Sequence, residues 1–98
     1  MAERNRYLLA YDIRQPRRLR RVHRVAKDFG EPLQYSLFVC DLTAVELMRL
    51  RSALVEEMKQ TEDSVSIFDL GPPGGRGVRC IEFIGRRREL PSDDAAIW

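Results

Sequence analysis

An α+β sandwich of order βαββαβ is the fold class this chain predicts, and three observations carry it. Apolar, β-prone runs recur along the sequence as "YLLAYDI", "PLQYSLFVCDL" and "DSVSIFDL". The two stretches between them repeat apolar residues at helical spacing. At 98 residues, with no repeat and no dividing linker, the chain is a single domain near the small end of what folds alone.

The first strand, "YLLAYDI", alternates Tyr7, Leu9 and Tyr11 against Leu8, Ala10 and Asp12, so both of its faces carry apolar side chains. Pro16 suits the first turn of a helix, where its missing N–H costs nothing. Leu19, Val22, Ala26 and Phe29 then give an inner stripe, and Gly30 a stop. "PLQYSLFVCDL" is long enough for one bent strand or a tight hairpin of two short ones. Thr43 and Glu46 form the T-x-x-E capping pattern that opens a second helix, running to about Gln60 with Leu47, Leu50, Leu54 and Met58 inside. "DSVSIFDL" is the fourth strand, "GPPGGRG" a turn, and "VRCIEFIG" an extra strand over 78–84. The result is a ferredoxin-like sandwich over residues 1–85, with 86–98 as a C-terminal tail.

Two helices cover only one face of such a sheet. Yet Leu37 and Val39 on one side, and Phe38 and Cys40 on the other, repeat the two-sided apolarity of the first strand. The economical cover for the helix-free face is a second copy, sheet against sheet in a two-fold homodimer. A bound partner protein would serve as well.

Charge is unevenly spread. Residues 1–40 carry nine Lys/Arg against four Asp/Glu, residues 41–70 three against seven, and the remainder five against four. The first third is therefore the surface for a polyanion. No apolar run approaches the roughly 20 residues of a membrane span. The charged start "MAERNRY" does not read as a secretory signal. Cys40 and Cys80 lack metal-ligand spacing and read as buried reduced thiols of a cytoplasmic protein.

Asp12 ends the first strand on the face assigned to the dimer. By residue type it is a strand-ending carboxylate that accepts backbone N–H groups or pairs with Arg14. A two-fold axis nearby opens a second reading. Two Asp12 carboxylates brought together could bind Mg²⁺ or Mn²⁺ and act on a phosphodiester. Six arginines follow: Arg14, Arg17, Arg18, Arg20, Arg21 and Arg24. On a helix Arg17, Arg20, Arg21, Arg24 and Lys27 share the outer side, and acidic residues are almost absent until Asp28. Such a row repels itself unless an anion is present, and phosphate is the obvious one. No recognition helix, zinc module or aromatic stacking motif accompanies it, so backbone contact rather than base reading is expected. His23 reads as a surface or boundary histidine, and Ser36 as a polar contact at a turn.

Taken together, "YLLAYDI", "Gln34-Tyr35-Ser36-Leu37-Phe38", "Asp41-Leu42-Thr43" and "Asp63-Ser64-Val65-Ser66-Ile67" resemble the CRISPR-associated protein 2 family, from about Tyr7 to Gly85. The resemblance implies a ferredoxin-fold homodimer whose last strand crosses to the other subunit. It implies a metal-dependent nuclease of RNA or duplex DNA, and a central scaffold bridging a CRISPR integrase on spacer DNA. The family's metal-binding aspartate falls on Asp12, with Tyr11, Ser36 and Phe38 expected beside it in a cleft. Arg14, Arg17, Arg18, Arg21 and Arg24 are expected to hold duplex DNA or single-stranded RNA. Pro32 stands where many members have arginine, and Val39 and Cys40 where many have Glu or Gly. Losing a basic residue near the expected cleft weakens the nuclease reading more than the scaffold reading.

Overall fold

The computed structural model describes residues 3–75 and 80–86. The expected order is observed: β1 (Asn5–Asp12), α1 (Pro16–Phe29), β2 (Glu31–Gln34), β3 (Leu37–Leu42), α2 (Ala44–Glu57) and β4 (Ser64–Asp69). The four strands form one antiparallel sheet in the order β2-β3-β1-β4. β2 and β3 are the tight hairpin, with an irregularity in register between Pro32 and Gln34 where the proline can give no ladder hydrogen bond.

Period-two alternation assigns the faces. Tyr7, Leu9 and Tyr11 of β1 and Phe38, Cys40 and Leu42 of β3 share one core with Val22 and Ala26 of α1 and Leu47, Leu50 and Leu54 of α2. Leu19, Phe29, Met58, Val65 and Ile67 pack against it, so both predicted helical stripes face the sheet. The second helix stops at Glu57, three residues before the expected Gln60.

The opposite face carries no helix. Leu8, Ala10 and Leu37 are half-buried there and Phe68 is exposed, whereas Val39 is fully buried. Arg6, also on this face, is buried to 2 % exposure and grips Asp41 through Nε and Nη2 at 2.8 and 2.9 Å. Sequence gave no hint of this pair, since its members lie 35 positions apart.

Gly30 ends α1 with φ −162°, extended backbone open to any residue. Its need for glycine is steric: a Cβ would overlap the Val39 carbonyl and the Cys40 sulfur. Gly30 is the stop expected there, reached without a left-handed conformation. Gly71 does take positive φ, 84°, where the chain turns out of β4.

Residues 78 and 79 of the expected extra strand lie outside the described residues, and 80–84 join no ladder in this single chain. Cys40 is buried as expected, but Cys80 is exposed. Among the described residues no helix is long and apolar enough to cross a membrane.

Candidate nucleic-acid interface

Helix α1 opens with Pro16 and with Gln15 as its cap, whose Oε1 accepts the Arg18 N–H at 2.8 Å. From there the helix turns Arg17, Arg20, Arg21, Arg24 and Lys27 outward, all exposed, with Arg14 exposed just before it. Among the described residues Arg14, Arg17, Arg20, Arg24 and Lys27 have no side-chain hydrogen bond or ion pair. Arg21 is 4.0 Å from Glu57, a loose surface contact worth little. The outer row is thus a run of unsatisfied cations, as the sequence predicts.

Arg18 differs from its neighbours. It turns towards the α2–β4 loop, where its Nε is 2.8 Å from Asp63 Oδ2 and its Nη2 is 2.9 Å from Glu62. Asp63, with its side chain inaccessible, also accepts the backbone N–H of Arg14 at 2.9 Å and of Lys59 at 2.8 Å. Chiefly through the Arg18 guanidinium, its carboxyl is held well below the usual carboxylate range. Arg18 therefore clips α1 to the segment entering β4, and its guanidinium is already engaged where a phosphate contact was expected.

Asp12 is exposed at the end of β1, opposite Ser64 in β4 and on the helix-free face. Neither partner expected for a structural carboxylate is present: among the described residues its side chain makes no hydrogen bond or ion pair. The Arg14 N–H goes to Asp63 instead. A divalent cation needs more than this one carboxylate, and among the described residues no group of three or more His, Cys, Asp or Glu is assembled. The described residues of one chain do not by themselves make up a metal site.

The residues expected to line a cleft with Asp12 divide between the two faces. Tyr11 and Phe38, at 6 % and 0 % exposure, belong to the helix-covered core. Burial raises the Tyr11 phenol above its usual range. Ser36 sits in the β2–β3 turn, its carbonyl accepting the Tyr11 N–H at 3.1 Å.

One grouping was not foreseen. Tyr11 Oη donates to the Tyr35 carbonyl at 2.7 Å, and His23 Nδ1 lies 3.0 Å from both of these oxygens. The imidazole stacks on the Tyr35 ring with centroids 4.1 Å apart and planes 5° from parallel. His23 is thus a boundary residue as expected, but it is tied to an exposed aromatic beside the arginine row. Adjacency to Lys and Arg in space, not in sequence, is what marks Tyr35.

The profile of the family described as CRISPR associated protein Cas2 matches residues 5–74. The CRISPR-associated endoribonuclease Cas2 of Geobacter sulfurreducens is 41 % identical over 66 residues, covering 67 % of this chain and 70 % of that protein. A Cas2 endoribonuclease of Rhodospirillum rubrum is 36 % identical over 91 residues, covering 93 % of this chain and 88 % of its own. Among solved structures, Streptococcus pyogenes Cas2 is similar with a TM-score of 0.71 and 27 % identity, covering 82 % of this chain and 99 % of that one.

Proposed function

The chain belongs to the CRISPR-associated protein Cas2 family, and from that premise we propose that it works as a homodimeric nucleic-acid-binding scaffold, bridging a CRISPR integrase on spacer DNA in the cytoplasm. The observation that carries this reading is the outer row of α1. Arg14, Arg17, Arg20 and Arg24 stand exposed without partners among the described residues, in a protein that pairs Arg6 and Arg18. Duplex phosphate supplies the missing anions along one helix face. The second copy is laid against the helix-free face, where half-buried Leu8, Ala10 and Leu37 and exposed Phe68 gain cover.

A second reading, metal-dependent cleavage of single-stranded RNA or duplex DNA, is favoured by the names of the relatives and by the unpartnered Asp12 carboxylate. It requires Asp12 from both copies, since among the described residues of one chain no other carboxylate joins Asp12 in a metal-binding group. A magnesium or manganese ion held by that pair would supply an activated water and a Lewis acid at the phosphate.

Asp12→Asn separates the two readings. It should lower hydrolysis by orders of magnitude while duplex binding, measured by gel shift, and spacer integration with the integrase stay intact. Integration lost in a variant that still dimerises and binds DNA would overturn the scaffold as the main role. Hydrolysis unchanged in Asp12→Asn would remove Asp12 from the chemistry.

A further inference from the structure

The C-terminal half of α1 carries more than a phosphate row. Arg20, His23, Arg24, Lys27 and Asp28 line, together with Tyr35 from the β2–β3 turn, an open pocket of about 440 Å³. Its lining holds three cations and one carboxylate, and none of the four is in an ion pair among the described residues. Tyr35 is 53 % exposed, and its position is fixed from behind.

The fixing begins with hydrogen bonds to its backbone. A carbonyl oxygen only accepts, so the 3.0 Å contact between His23 Nδ1 and the Tyr35 oxygen requires the proton on Nδ1. The Tyr11 hydroxyl donates to the same oxygen. Phe38 meets the imidazole edge-on at 5.3 Å and 70°. His23 is held by these contacts and supports the inner face of the Tyr35 ring, leaving the outer face open beside Arg24 and Lys27. A rigid aromatic face bordered by cations suits an unpaired base and its phosphate. Paired bases are stacked within a helix and cannot reach such a face.

We propose that this pocket binds one unpaired nucleotide of a single-stranded segment, its base on Tyr35 and its phosphate among Arg20, Arg24 and Lys27. The inference rests on the reading of α1 as a phosphate-binding surface, and it adds a single-strand site to the duplex path.

Tyr35→Ala removes the ring but keeps the carbonyl that His23 and Tyr11 use, and Tyr35→Phe keeps the ring. Each is titrated by fluorescence anisotropy against labelled oligothymidylate and oligouridylate of about a dozen nucleotides, and against a duplex of the same length. Tyr35→Ala should weaken single-strand binding about tenfold, the range that base–aromatic stacking carries. Its duplex affinity and melting temperature should match the wild type, and Tyr35→Phe should bind both probes normally. Single-strand affinity unchanged in Tyr35→Ala, with duplex binding intact, overturns the pocket and leaves the α1 reading standing. Equal losses on both probes overturn it too, since the ring would then serve a shared path. A wild-type protein that binds neither probe overturns the α1 reading itself.

Discussion

Helices α1 and α2 are both fourteen residues long and lie on the same face of the sheet, but they treat charge in opposite ways. α2 begins with a full capping box: Thr43 Oγ1 accepts the Glu46 N–H at 3.2 Å, and Glu46 Oε1 accepts the Thr43 N–H at 2.8 Å. That backbone N–H, above all, lowers the Glu46 carboxyl below its usual range, and the acid lies where the helix dipole favours it. α1 has a glutamine cap, no acid in its first turn, and Arg17 and Arg18 in its place. Cations at a helix N-terminus oppose the dipole. One of the two, Arg18, is offset by Asp63, and the other is not. The contrast teaches that α2 is built for stability, whereas α1 keeps an arrangement that stability alone would discard.

The sharpest way to break this comparison is to reverse the row while sparing the clip. Arg17, Arg20 and Arg24 changed together to Glu should lower duplex affinity by orders of magnitude. The slope of log K against log salt should flatten by about one unit per lost phosphate contact. Unchanged affinity and slope would make the row an ordinary solvated face.

Next in size is the clip itself. The folded Asp63 carboxyl lies below its unfolded value, so its stabilisation is complete above the ordinary carboxylate range, about pH 4. It is lost as pH falls through the depressed folded value. Asp63→Asn should therefore melt well below the wild type at neutral pH, and the gap should narrow as the wild type is acidified. A gap that stayed constant with pH would mean that the carboxylate's charge contributes nothing.

The smallest effects lie at the two helix starts, and they have opposite signs. Thr43→Ala should cost about 1 kcal/mol through the lost cap. Arg17→Glu should gain about 0.3–1 kcal/mol from the dipole, while weakening nucleic-acid binding. Denaturant unfolding of the two variants checks both, and a destabilised Arg17→Glu would mean that Arg17 has a structural role after all.

Local rules made most of the fold legible. Pro16, the T-x-x-E of Thr43 and Glu46, and the stripes through Val22 and Leu50 act within one or two turns, where spacing in sequence is spacing in space. The same alternation along β1 separates Tyr11 from Asp12, so a single cleft holding both was already at odds with the pleat. What sequence hid was long-range pairing. Asp63 meets Arg18 from 45 positions away, and His23 meets Tyr35 only because the β2–β3 turn folds back over α1. Helical spacing leaves Arg18 out of the outer row, but it does not say which carboxylate holds it. On the helix-free face, one chain's alternation registers only that cover is needed, not what supplies it.

The close approach at Gly30 sets a limit on how this surface can diverge. Arg17, Arg20 and Arg24 of α1 point into solvent, and each can be exchanged without disturbing a neighbour. Position 30 has no such latitude, because even a methyl group would meet the Val39 carbonyl and the Cys40 sulfur. The end of α1 would then lift from β3, carrying Arg24 and Lys27 out of line with Tyr35. Descendants of this sequence are free to redraw the charge pattern but must inherit the glycine, which makes an atom that is absent the most heritable part of the binding face.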